Sequence, residues 1–132
     1  MLDINDLLLK RFDEEKFNCW HLCQEVAQRI GFELIGFNEW IESLNERDLV
    51  IRSFEKDFIR LNGPEPGAIV IFARNNKTVV HMGIVLPDCR SFIHIGRKIR
   101  TPRIEQLNDC PYTPIIAGYY RYAEPVKNQQ SV

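Results

Sequence analysis

The chain has 132 residues, and its 17 Lys and Arg nearly balance 18 Asp and Glu to leave a formal net charge of −1. That length suits one domain with its own core, and the balanced charge excludes a global pull toward nucleic acid or an anionic membrane. The hydrophobic fraction of 45% is ordinary for a globular chain, and no apolar run reaches the roughly 20 residues that span a bilayer.

The opening residues, MLDINDLLLKRFDEEKF, do not read as a signal peptide, because Leu7–Leu9 is too short an apolar stretch and acids precede it. The expectation is a protein made in the cytoplasm without a cleaved signal. Residues 1–62 carry helical periodicity. The first strong helix begins at Asn18, a preferred N-cap whose side chain can accept from an orphan amide of the first turn. Leu22, Cys23, Val26, Ala27 and Ile30 follow at helical spacing, and Gly31 is a natural stop. A second helix is expected from near Asn38. A third is expected over residues 48–61, with Leu49, Phe54, Phe58, Ile59 and Leu61 as its buried positions, ended by Asn62-Gly63-Pro64.

Pro66-Gly67 opens a half that reads as short strands: residues 68–73, 78–86, 90–95 and 115–122, with a turn at Asn75-Asn76. Arg97, Lys98, Arg100 and Arg103 read as a strand edge guarded by positive charge. Helices followed by strands imply an α+β fold. Residues 1–123 form the expected single domain, and the polar residues 124–132 form a loose tail.

The four cysteines, Cys19, Cys23, Cys89 and Cys110, match neither a zinc ribbon nor a dense disulfide framework, so free thiols are the default. Cys19 is the first residue inside the Asn18-capped helix. Backbone amides and the helix dipole there favour a thiolate, so its pKa is expected to fall, and the neighbouring amides could stabilise an oxyanion. A small buried hydrophobe is the bland alternative for any free cysteine.

A base is the next requirement, and His21, His81 and His94 are the only histidines. His21 lies two positions from Cys19 on the same helix, so the two side chains diverge. His81 and His94 lie in successive strands, TVVHMGIVL and SFIHIG. A hairpin centred on Pro87-Asp88 places Leu86 across from Cys89 and His81 across from His94, on one face. One imidazole can then orient the other.

The segments FNCWHLCQEV, PEPGAIVIF, VVHMGIVL and SFIHIG, in that order, resemble the NlpC-type cell-wall cysteine peptidases. The resemblance covers about residues 17–122, and Ile99, Ile104 and Leu107 also sit where that family carries apolar residues. It implies a papain-like fold, in which N-terminal helices, with the nucleophile at a helix start, pack on an antiparallel sheet or partial barrel. It further implies Cys19 as nucleophile, His81 as base and His94 as orienting residue, with Asn18 and Trp20 flanking the oxyanion region. The implied activity is hydrolysis of peptide or amide bonds in peptidoglycan stem peptides through an acyl-enzyme, with no metal or organic cofactor.

The chain reads Asn18-Cys19-Trp20-His21 where many members read Asp-Cys-Ser-Gly. Phage-tail relatives also place Trp after the cysteine. Ala68 stands where an Asp is usual, and no tyrosine precedes Cys19. Expected partners are therefore peptidoglycan or a peptide substrate and a phage-tail, secretion or immunity partner, with export by a phage-tail or contact-dependent route. Two other classes compete: a non-catalytic phage-tail or assembly module of the same fold, and a Cys2His2 metal site built from Cys19, Cys23, His81 and His94.

Overall fold

The computed structural model describes residues 2–13, 16–32, 34, 58–75, 77–96, 98 and 100–122. Among them, one α-helix, α1 (Cys19–Ile30), packs on one six-stranded antiparallel sheet. The strands are β1 (Phe58–Leu61), β2 (Ile69–Arg74), β3 (Thr78–Val85), β4 (Ser91–His94), β5 (Arg103–Gln106) and β6 (Ile116–Tyr122), in the spatial order β1-β6-β2-β3-β4-β5.

This is a small β-rich domain, which corrects the expected α+β papain-like arrangement with N-terminal helices. The clearest reversal is at residues 58–61, expected to finish a third helix. They instead form the edge strand β1, pairing Phe58 with Tyr122 and Leu61 with Tyr119. Phe58 is buried while Ile59 and Arg60 are exposed. Aromatic and β-branched residues suit such a half-buried pleat better than a helix. The expected helix near Asn38, most of residues 48–61 and the tail from 124 onward lie outside the described residues. β5 is not among the strands the sequence predicts, where the run that includes Arg103 reads only as a guarded edge. Arg103 does stand exposed on an edge strand.

The first helix forms with the boundaries its caps imply. Asn18 accepts from the Trp20 and His21 amides, the His21 side chain accepts from the Asn18 amide, and Gly31 closes the helix at φ 112°. The apolar stripe of α1 meets Ile69, Ile71, Met82, Ile84, Ile93 and Tyr120 in the main core. The opposite sheet face carries Val70, Phe72, Val85 and Phe92, with Ile116 and Tyr119 of β6, and packs with Leu107, Cys110 and Tyr112 from the chain after β5. Strand β2 is therefore buried on both faces, which explains its unbroken apolar run. Before α1, Leu7 of a short 3-10 turn is fully buried in the main core, and Arg29 of the helix grips the Asp6 carboxylate at 2.6 and 2.8 Å.

Candidate active site

The β3–β4 hairpin sets the histidines. Its loop runs through Pro87, Asp88, Cys89 and Arg90, with Leu86 N–H donating to Ser91 O at 2.9 Å. Asp88 Oδ1 accepts from the Arg90 and Ser91 amides and from Ser91 Oγ, each at 2.9 Å. Leu86 thus faces Ser91 rather than Cys89, and Ile84 faces Ile93. The register has moved by two residues from the one expected. An even slip leaves every side chain on its original face. His81 and His94 are therefore diagonal neighbours, with His81 Nε2 and His94 Nδ1 2.8 Å apart.

Gly83 makes the pair fit. A Cβ there would lie 2.8 Å from Phe92 Cδ2, 3.0 Å from the Ile93 carbonyl oxygen and 3.3 Å from His94 Cβ. A side chain at position 83 would push β4 away and His94 with it. Gly96 plays a milder part, since its Cβ would lie 3.6 Å from His81 Cε1.

The relay continues onto the neighbouring strand. Phe92 pairs with Glu105 and His94 with Arg103, so Glu105 is the diagonal neighbour of His94 on β5. Its carboxylate Oε2 meets His94 Nε2. His94 is fully buried, and both of its ring nitrogens are engaged. Tyr112, from the loop after β5, stacks on His81 at 5.2 Å between centroids and meets His94 edge-on at 5.3 Å. Phe72 lies 5.6 Å from the His81 ring.

Sequence reasoning missed Glu105 and Tyr112. Glu105 carried one signal, that a buried histidine pair needs an acceptor at its far end. The long connection between β4 and β5 gave no register to count. Tyr112 sits in irregular chain ordered by Thr113 Oγ1, which donates to Leu107 O and accepts from Cys110 N–H.

Cys19 and His81 line one cleft of about 410 Å³, together with Phe12, Val80, Ile95, Gly96, Lys98 and Tyr112. The cleft opens where β4 ends, and the N-terminus of α1 reaches it with Cys19. Phe12 is tied to this rim by its amide, which donates to the Arg100 carbonyl at 2.6 Å. The structure thus joins His81 to His94 directly and brings Cys19 to the cleft that His81 lines. Asn18 and Trp20 do not line it. Asn18 serves as the cap, and Trp20 is fully buried, edge-on to Phe58 at 6.0 Å. The Trp20 amide is already donated to Asn18 Oδ1 at 2.9 Å. His21, expected to be a bystander, is the reciprocal half of the capping box, its Nδ1 accepting from Asn18 N–H at 3.0 Å.

The electrostatics oppose the expected depressed thiol pKa. Burial pushes Cys19 up to about 11, and the amides of Trp20 and Cys19 offset only part of that. Burial, aided by the neighbouring His94, lowers His81 to about 4. Burial lowers His94 too, against an upward pull from Glu105. Between those limits the thiol and the imidazole that line the cleft are both neutral, which excludes a standing ion pair and is compatible with general-base chemistry.

Cys23 is fully buried in the main core, where burial raises its pKa well above the usual thiol value. With both nitrogens of His94 engaged as well, the Cys2His2 metal set is not assembled. No cluster of three or more potential ligands occurs among the described residues. Comparison with protein-family models and with curated proteins finds no match for this chain.

Proposed function

We propose that the protein is a cysteine hydrolase of peptide or amide bonds, with Cys19 as nucleophile, His81 as general base and His94 as its orienting partner. The observation that carries this reading is the bonded His81–His94 pair beside a cleft that Cys19 enters from a helix N-terminus.

In the reaction, the Cys19 thiol proton passes to His81 while the sulfur bonds to the substrate carbonyl carbon and the carbonyl oxygen takes the electron pair. As the tetrahedral species collapses, the C–N bond breaks, and His81 returns the proton to the departing amine. Water then attacks the thioester, its proton taken by His81, and Cys19 leaves protonated. A neutral imidazole suits both halves of this cycle. A neutral thiol means that proton removal and carbonyl attack are coupled. Burial holds the thiolate back until an electrophile occupies the cleft.

Peptidoglycan stem peptides are the substrate class we favour, on the resemblance of the four ordered segments to the NlpC-type peptidases. The apolar walls of the cleft and the cation Lys98 among them are compatible with a peptide carrying a carboxylate. Digestion of purified muropeptides by the wild type and by Cys19→Ala, read by mass spectrometry, tests the reading. Product from the wild type alone is expected. Equal product from both removes the catalytic assignment, and no product from either leaves a binding or assembly module.

A further inference from the structure

We propose that Glu105 is a positioning residue that fixes the tautomers of both buried histidines, so that Nδ1 of His81 is the nitrogen left to take the Cys19 proton. The use of that nitrogen rests on the cysteine hydrolase reading above. The tautomer assignment follows from the hydrogen-bond geometry together with the neutrality of both buried rings and the acceptor character of a carboxylate.

An ionised carboxylate only accepts hydrogen bonds. His94 Nε2 meets Glu105 Oε2, so it carries the His94 proton. A neutral imidazole has one N–H, which makes His94 Nδ1 an acceptor. His81 Nε2, 2.8 Å from it, is then the donor. The lone pair of His81 is left on Nδ1. The chain of donors has one direction, and the acceptor at its end sets it.

Three adjacent strands hold this chain in line, with His81 on β3, His94 on β4 and Glu105 on β5. His94 is fully buried, and the Glu105 side chain is 18% exposed. Water therefore competes little for either bond. Without the carboxylate, His94 can move its proton to Nδ1. His81 Nε2 then becomes the acceptor, and the His81 proton moves to Nδ1, where it blocks the transfer from Cys19. The carboxylate also stabilises the positive charge that reaches the histidine pair when His81 is protonated.

The test is the ring-nitrogen ¹⁵N spectrum of the uniformly labelled protein at pH 7, in the wild type, Glu105→Gln and Glu105→Ala. His21 is an internal reference, because its Nδ1 accepts from the Asn18 amide and its proton is on Nε2. In the wild type, His81 and His94 are both expected as Nε2–H tautomers. Glu105→Ala should mix the tautomers of both rings, and Glu105→Gln, which keeps an acceptor oxygen, should restore part of the order. Where hydrolysis is measured, kcat should fall by roughly 10²–10⁴-fold in Glu105→Ala at little change in KM, the range a general base supplies. Glu105→Gln should lie between that variant and the wild type. Thermal unfolding of each variant separates this from loss of the fold. An Nδ1–H form of either ring in the wild type overturns the assignment, as does a folded Glu105→Ala that keeps both Nε2–H forms. Absence of hydrolysis in every variant would count against the hydrolase reading and leave the spectra to decide the tautomers.

Discussion

At His81, burial and the neighbouring His94 act in the same direction, and together they bring the imidazole from its ordinary 6.5 to about 4. Above that value the ring is neutral and able to accept a proton; below it the base is lost. The kcat/KM profile is therefore expected to rise through about pH 4 and stay flat across neutrality, because this ratio reports the free enzyme. An acid limb near the 6.5 of a solvated histidine would place the ring in water and contradict the cleft geometry. The position of Cys19 was legible in the sequence, because the preceding Asn is a capping residue and caps act within one turn. Its ionisation was not legible. The local dipole favours a thiolate, but the burial that desolvates the sulfur comes from packing beyond α1, in a cleft whose walls include Tyr112 from far along the chain.

Among the elements, the β3–β4 hairpin carries both members of the histidine pair. Counting from an assumed turn centre found the right face and the wrong opposite residue. Parity survives a two-residue slip, whereas the turn geometry set by Asp88 and its three bonds does not follow from counting. The close approach of β4 to Gly83 gives a direct test. Gly83→Ala is expected to cost about 1–3 kcal/mol of stability by overpacking, and to lower turnover further by parting His94 from His81. Denaturant unfolding and kinetics of the purified variant check both. Unchanged stability and activity would mean that β4 does not approach as closely as Gly83 requires. α1 was read almost to the residue, since both of its ends carry strong caps. β1 was misread because Phe58, Ile59 and Leu61 satisfy a short helical count as readily as a strand. Its partner, β6, lies 58 residues on at the Leu61–Tyr119 pair and 64 residues on at the Phe58–Tyr122 pair, and local pattern cannot see it.

Among the described residues the molecule is a sheet packed on both faces, by α1 on one and by the segment that carries Leu107, Cys110 and Tyr112 on the other. The histidine pair is embedded in the second of these faces, so the proposed catalysis and the stability of the fold share residues. His81 binds a proton less readily folded than unfolded, and His94 shifts in the same direction. Between about pH 6.5 and pH 4 the unfolded chain takes up a proton at His81 that the folded chain refuses, so stability falls as pH falls through that window. Below it both states are protonated, and the loss from this group ends. Denaturant midpoints measured at pH 7 and pH 5 should differ in that direction, and by less in His81→Phe. A midpoint independent of pH in the wild type would contradict the buried neutral pair.

The nucleophile itself is tested most directly by locating the acyl group. The protein would be incubated with the p-nitrophenyl ester of an N-acetylated dipeptide, quenched in acid and mapped by peptide mass spectrometry. Acylation is expected at Cys19, ahead of Cys89 and Cys110, and is expected to disappear from Cys19 in His81→Ala. Label spread evenly over the three cysteines, or Cys19 acylated equally without His81, would contradict the assignment of Cys19 and His81 as nucleophile and base.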